Sequence, residues 1–278
     1  MKISAFLPVF NEEARISSAI ESILWCDEII VLDKHSSDKT VEIAKRFGSK
    51  IKVHFMENTP YYNSNEWDYL IKETTGDWVI RFTASDLIHP ELAKEIRKLI
   101  SSNSISEDVI YVPFNRYVLG INNSRSPWYS EVCPMIFRKS TLSVNKLSVH
   151  ESLNYGHKSY TINLPREKGM YHLTHESADT MMTRHLRYLR SEASEGGHQS
   201  FFKAFWIVCK EIFKVVFWKK TFFMGWDGIM LSFAYLSYYM MSFVYKWDVK
   251  RGNSANLYVK LREEIHNAWD KEMKGNNE

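Results

Sequence analysis

Along the first hundred residues, short apolar runs alternate with amphipathic stretches. ISAFLPV (3–9), DEIIVLD (27–33), KIKVHF (50–55) and DWVIRFTA (77–84) have the make-up of buried strands. Between them, NEEARISSAIESIL (11–24), SSDKTVEIAKRFG (36–48) and SNEWDYLIKETTG (64–76) set apolar residues at helical spacing behind polar starters. A further helix is predicted from about Pro90 to Ile100. Strand–helix units at this interval predict an α/β fold: a Rossmann-like open, mostly parallel sheet with right-handed crossovers, flanked by helices. Residues 109–172 break into shorter runs such as VIYVPFNRYVLG and CPMIFRKS, read as strands and loops, and the chain from Ser177 onward reads as helical.

In open sheets of this kind ligands bind beyond the carboxyl ends of the strands. Those ends are polar here. The first strand closes on Pro8, Val9, Phe10 and Asn11, the second on Asp33, and the fourth on Thr83, Ala84, Ser85 and Asp86. No G-x-G-x-x-G follows the first strand, so the dinucleotide fingerprint is absent. A nucleotide would have to be held by carboxylates and backbone. Each of these residues also has a purely structural use. Asn11 and Glu12 suit the start of the first helix, Asp38 the start of the second, and Asp86 the helix that begins near Pro90.

Composition narrows the picture. With 278 residues, 45% of them hydrophobic and 14% aromatic, the chain can bury a sizeable core, which sets disorder aside. Cys26, Cys133 and Cys209 are scattered and odd in number, matching neither a disulfide framework nor a zinc site, so a reducing compartment is expected. The start of the chain has only a short apolar run followed by acids, unlike a signal peptide.

The net charge of +3 conceals an asymmetry, because residues 203–262 hold ten Lys or Arg against Glu211, Asp227 and Asp248. FFKAFWIVCKEIFKVVFW (201–218) mixes Lys203, Lys210 and Lys214 with large apolar side chains. GIMLSFAYLSYYMMSFVY (228–245) is eighteen residues without a charge, borderline for a membrane span, and its four Tyr and three Ser make it a poor one. The pattern favours helices lying in a membrane interface with Lys toward anionic lipid. A soluble bundle or dimer face is the other reading, so a homo-oligomer is possible. No nucleic-acid motif accompanies the basic aromatics, and no nucleic-acid partner is expected.

The combination LPVFNEE, DEIIVLDKHSSDKTVEIAKRFG and TTGDWVIRFTASD resembles the N-terminal half of family 2 glycosyltransferases with a GT-A fold. It is most similar to the branch that includes lipopolysaccharide-core β-1,4-glucosyltransferases. The likeness continues through SVHESL (148–153), YHLTHES (171–177) and FFMGWDGIMLSFAYLSYYMMSF (222–243), and so covers roughly residues 2–245. It implies a GT-A domain over 1–176, with a nucleotide-binding half over about 1–100 and an acceptor half over about 101–176. A membrane-associating helical region over 177–278 follows. The implied activity is inverting transfer from a nucleotide-sugar donor, UDP-linked by expectation, to a lipid-linked or surface-glycan acceptor. The implied place is the cytoplasmic face of a bacterial inner membrane.

Carried over by position, Pro8, Val9, Asn11 and Glu12 would line the base and ribose. Asp33 would accept a hydrogen bond from the base, as a carboxylate can from uracil N3–H. Inversion needs a base for the acceptor hydroxyl. Glu151 is the candidate, with His150 beside it and Asp86 as the fallback. The departure lies at the fourth strand. The family usually has Asp-x-Asp and another acid there, which bind Mg²⁺ or Mn²⁺ at the diphosphate. Here Thr83, Ala84 and Ser85 stand in those places, followed by Asp86. Three readings stay open: Asp86 binds the metal with Ser85, waters and a late ligand such as His172; arginines such as Arg125 or Arg138 replace the metal; or catalysis has been lost and the chain only binds a nucleotide sugar or serves as a scaffold.

Overall fold

The computed structural model describes residues 1–58, 65–102, 105–143, 154–194 and 200–275. Nine strands join in one sheet among these: β1 (Ile3–Val9), β2 (Glu28–Asp33), β3 (Ile51–Phe55), β4 (Trp78–Arg81), β5 (Asp86–Ile88), β6 (Val109–Val118), β7 (Val132–Arg138), β8 (Ser159–Thr161) and β9 (Met170–Thr174). Their order is β3-β2-β1-β4-β7-β6-β9-β5, with β8 beside β6. β3, β2, β1 and β4 are parallel, as the strand–helix spacing predicts. β7 then enters antiparallel between β4 and β6, and β5 runs antiparallel to β9. The sheet is therefore a parallel half joined to a mixed half, the GT-A arrangement that the motifs imply.

Period-two alternation divides the core between the two faces. From β2, Ile29 and Val31 pack with Ile16, Ile20 and Ile23 and with Leu92, Ile96 and Ile100. Ile30 and Leu32 turn to the other face, against Trp67, Leu70 and Phe137. Both faces are covered, which is why the whole of β2 is buried. The covering helices are α1 (Ile16–Glu21), α2 (Thr40–Lys45), α3 (Asn65–Glu73) and α4 (Pro90–Ser101).

Three boundaries differ from the sequence reading because side chains capture backbone groups. α1 starts at Ile16 rather than near Asn11, since the N–H groups of Asn11, Glu12 and Glu13 donate to Ser36, Thr40 and Asp38. β4 stops at Arg81 rather than Ala84, because the Asp86 carboxylate accepts the Thr83 N–H at 2.7 Å and folds the chain into a turn. α3 ends at Glu73, where the Glu28 carboxylate takes the Thr75 N–H. The cap of α4 is His89, whose Nδ1 accepts from Glu91 N at 3.2 Å, and not Asp86.

At the amino ends of the strands, away from the polar strand ends, Glu28 joins three segments. It accepts from Ser4 Oγ at 2.5 Å and Lys52 Nζ at 2.9 Å, besides Thr75. Burial alone would raise its pKa, but these donors prevail and hold it at about 2.

The remaining helices are α5 (Ala178–Ser194), α6 (Phe201–Phe213), α7 (Trp226–Lys250) and α8 (Ser254–Gly275). A single π-helical turn (Lys214–Trp218) and a short 3-10 turn (Thr221–Met224) lead from α6 into α7. α7 carries a polar stripe with near-heptad spacing: Ser232, Tyr235, Tyr239, Ser242 and Lys246. The stripe faces inward: Ser232 bonds Thr221, Tyr239 bonds Tyr235, and the rest meet carboxylates of α5 and α6. Glu192 accepts from Ser242 Oγ at 2.7 Å and Lys246 Nζ at 3.0 Å, and also from Tyr238. Glu211 accepts from Tyr235 at 2.7 Å. Leu231 of α7 is buried, but many of the helix's large apolar residues, among them Trp226, Phe233, Met240, Val244 and Trp247, are exposed. So are Phe202, Phe205, Trp206, Phe213 and Phe217 from the preceding segment.

Candidate active site

Register places Val9 beside Asp33, so the loops after β1 and β2 leave the sheet side by side. They are pinned together. Asn11 adopts a left-handed conformation, φ 53°, which asparagine tolerates. Its N–H donates to Ser36 Oγ at 2.9 Å, and its Oδ1 accepts from Ser37 N at 2.8 Å. Ser36 in turn donates both its hydroxyl, at 2.5 Å, and its N–H, at 2.9 Å, to the Asp33 carboxylate. Asp33 is fully buried. Asp38 accepts from Thr40 N and Oγ1 at 2.9 and 2.5 Å, confirming its expected place at the start of α2. Beside this pair, the ring of His35 stacks on the exposed Phe55 at the end of β3, centroids 5.7 Å apart. Val9 is buried, Pro8 half-buried and Asn11 exposed.

The turn after β4 lies next to these loops. Asp86 is 3% exposed, and its Oδ2 accepts from Thr83 N and Oγ1 at 2.7 and 2.8 Å. Its Oδ1 meets His172 Nδ1 at 2.5 Å, because antiparallel β5 and β9 pair Asp86 with His172. The structure thus joins the two sequence-derived candidates Asp86 and His172, as partners of one another. Ser85 is 4% exposed, and two guanidinium groups converge on its hydroxyl: Arg15 Nη1 and Arg184 Nη2, each at 3.3 Å. Arg15 is ion-paired with Glu12 and, at 3.1 Å, with Glu176. Burial raises the Glu12 pKa in spite of Arg15. Arg184 also donates to Thr174 Oγ1 at 2.8 Å.

Arg116, paired in register with His172, lies over the Phe114 ring at 5.0 Å. Its Nε is buried without a hydrogen-bond partner among the described residues, and burial lowers its pKa.

A cavity of about 670 Å³ adjoins this turn. Arg116, His172 and His175 line one side, and Trp128, Tyr188 and Tyr238 are among the residues facing them. His175 has φ 52°, is 8% exposed, and stands edge-on to Trp128 and His185. Burial first, then the nearby His185 and Arg184, push its pKa down to about 4, so it is neutral at pH 7. Aromatic walls with a few polar groups are what a polyhydroxylated or partly apolar ligand requires.

Of the sequence-derived residues, Pro8, Val9, Asn11, Glu12 and Asp33 share one strand-end cluster, and Ser85, Asp86 and His172 the next. Glu151 and His150 lie outside the described residues. Arg138 is at the opposite end of β4, paired with Trp78 and donating to Glu107 O and Ile105 O. Arg125 lies over Phe223. The arginines at the turn are instead Arg15, Arg116 and Arg184, which the sequence reading missed. Arg15 carried one usable signal, a cation a few residues beyond the end of the first strand. Arg184 sits in a helical run and carried none. No group of three or more His, Cys, Asp or Glu positioned to hold a metal occurs among the described residues.

The glycosyl transferase family 2 model matches residues 4–157, more than half of the chain, including the strand-end residues from Pro8 to Asp86. The chain belongs to this family. The glycosyltransferase is 26% identical over 252 residues to an uncharacterized glycosyltransferase of Rickettsia felis, covering 84% of this chain and 85% of that one. It is 24% identical over 146 residues to the poly(ribitol-phosphate) β-N-acetylglucosaminyltransferase TarS of Staphylococcus aureus, covering 49% of this chain and 24% of TarS. The crystal structure of S. aureus TarS 1–349 in complex with UDP-GlcNAc superposes with a TM-score of 0.48 at 16% identity, over 91% of this chain and 93% of that one.

Proposed function

We propose that this glycosyltransferase moves a sugar, with inversion, from a nucleotide-sugar donor to a lipid-linked or surface-glycan acceptor at an anionic membrane surface. The observation that carries the reading is the continuity from strand ends to cavity to helices. His172 touches the turn after β4, Thr174 is tied to it through Arg184, and both line the cavity, which α5 and α7 wall with Tyr188 and Tyr238. The apolar side of α7 faces outward. Residues 1–176 would be the catalytic part and 177–278 the membrane-associating part.

In this reading the base and ribose lie over Pro8, Val9, Asn11 and Glu12, with the His35–Phe55 stack as a flat neighbour. Asp33 serves them by holding the Ser36 turn, and UDP is the expected nucleotide. The acceptor hydroxyl attacks the anomeric carbon, its proton passes to Glu151, and the bond to the diphosphate breaks with its electron pair leaving on the phosphate oxygen. A cation must offset that charge. A divalent metal with Asp86 is the family's means; the side chains present at Ser85 suggest another, taken up below. Peripheral binding to the cytoplasmic face of an inner membrane fits the basic aromatic helices. Among the described residues no helix is long and apolar enough to cross a membrane.

The test is release of UDP from a panel of UDP-sugars, with anionic vesicles carrying a bacterial lipid extract as acceptor. Turnover that depends on the vesicles and is abolished by Glu151→Gln is expected. Equal turnover in Glu151→Gln would remove that residue from the mechanism. UDP binding without turnover on any extract would support the alternative, a non-catalytic nucleotide-sugar-binding protein, which the loss of Asp-x-Asp favours.

A further inference from the structure

The turn that should hold a dication is built for a dianion. Only one carboxylate, Asp86, stands where the family's acids would be, and its oxygens already accept from Thr83 N, Thr83 Oγ1 and pair with His172. Glu12 and Glu176, the next acids, are both taken by Arg15. Three guanidinium groups surround the turn, and among the described residues neither Arg184 nor Arg116 is ion-paired with a carboxylate. Arg15 and Arg184 both point at one serine hydroxyl, which as a neutral group leaves Arg184 without a counter-charge there, and Arg116 keeps a buried N–H unpaired. A Mg²⁺ or Mn²⁺ ion placed here would meet one occupied carboxylate and a cationic wall. Like charges a few ångströms apart in a partly buried site repel by several kcal/mol. The donor set does not fit a metal.

We propose that Arg15 and Arg184, converging on Ser85 with Arg116 beyond them, bind the diphosphate of the donor directly and take the place of the divalent cation. This inference rests on the nucleotide-sugar reading of the site. Planar guanidinium forks match phosphate oxygens in pairs, and such charge-assisted bonds are roughly twice as strong as neutral ones. They also stand in place before the reaction, ready for the charge that develops on the leaving diphosphate. Ser85 acts as a neutral spacer. An aspartate there, as in the usual motif, would pair with Arg184 and repel the diphosphate.

Calorimetric titration of the full chain with UDP, uridine and inorganic pyrophosphate, in EDTA and then in MnCl₂, tests this. UDP and pyrophosphate should bind in EDTA, and Mn²⁺ should change the affinity by less than about twofold. Arg184→Gln should weaken both by about tenfold or more and leave uridine unchanged, the loss of one charge-assisted pair. If that variant does not fold, the isosteric pair Ser85→Asp and Ser85→Asn gives the same reading, with binding in EDTA lost in the first and largely kept in the second. UDP binding that vanishes in EDTA and returns with Mn²⁺ overturns the arginine site and leaves the nucleotide-sugar reading intact. Pyrophosphate binding with no preference for UDP keeps the arginine site and removes the nucleotide reading. Binding of neither ligand in EDTA, or wild-type affinity in Arg184→Gln and Ser85→Asp, overturns the proposal.

Discussion

Asp86 shows how one side chain can set both a backbone and a neighbour. It ends β4, closes the turn through Thr83 and orients His172 through its other oxygen. Asp86→Ala leaves those donors unpaired in a buried place, with an expected cost of about 3 kcal/mol, measurable by urea denaturation. Two other residues contribute to the acid limb of stability, each in its own window. His175 has its pKa lowered from 6.5 to about 4, so the unfolded chain binds the extra proton first. Its contribution is complete above about pH 6.5 and is lost as the pH falls toward 4. Glu28, lowered from 4.5 to about 2, contributes fully above about pH 4.5 and loses that contribution between there and pH 2. Denaturation midpoints measured from pH 7 to pH 3 should fall, with the His175 part in the upper range and the Glu28 part in the lower. His175→Asn should make the fall shallower in the upper range and Glu28→Gln in the lower.

At the scale of elements, the strand ends were legible from the chain because a buried parallel strand is a continuous apolar run that must stop at its ligand. Asp33, Ser85 and Asp86 stood out for that reason. The boundaries were less legible, since capture of a backbone N–H by Asp86 or Glu28 looks the same in sequence as an unused carboxylate. The arginine cluster could not be read as a cluster, even though Arg15 follows the first strand closely. Residues 15, 116 and 184 come from three elements that meet only through the sheet order, and each alone resembles a solvated surface cation. The orientation of α7 was hidden for a different reason. Amphipathicity tells that a helix has two faces, not which one is inside. The inward face proved to be the polar one, fastened by Glu192 of α5 and Glu211 of α6. Glu192→Ala should therefore loosen α7 from α5 at a cost of about 3 kcal/mol, seen as a lowered Tm. Gly228→Ala should loosen α7 from the turn before it by sterics and also lower the Tm, because its Cβ would fall 1.9 Å from the backbone oxygen of Thr221.

For the whole molecule, the consequence of that orientation is a broad apolar surface beside a basic segment. Trp206 is 70% exposed and Phe217 62%. Replacing both by Ser should reduce partition onto anionic vesicles by about tenfold or more in a sedimentation assay, given the hydrophobic gain from burying such side chains. Raised salt should weaken the remaining binding by screening the lysines.

The two faces of α7 also share one rotational phase. Each residue added to a helix turns everything after it by about 100°. The turn between Lys220, with φ 52°, and Gly225, with φ 64°, sets that phase. One inserted residue there would swing Phe233 and Trp247 toward the cavity and the tyrosines toward the outside. It would alter at one stroke where the protein resides and what its cavity accepts. On the proposed membrane reading, address and selectivity would be written on a single helix, and neither could drift without the other.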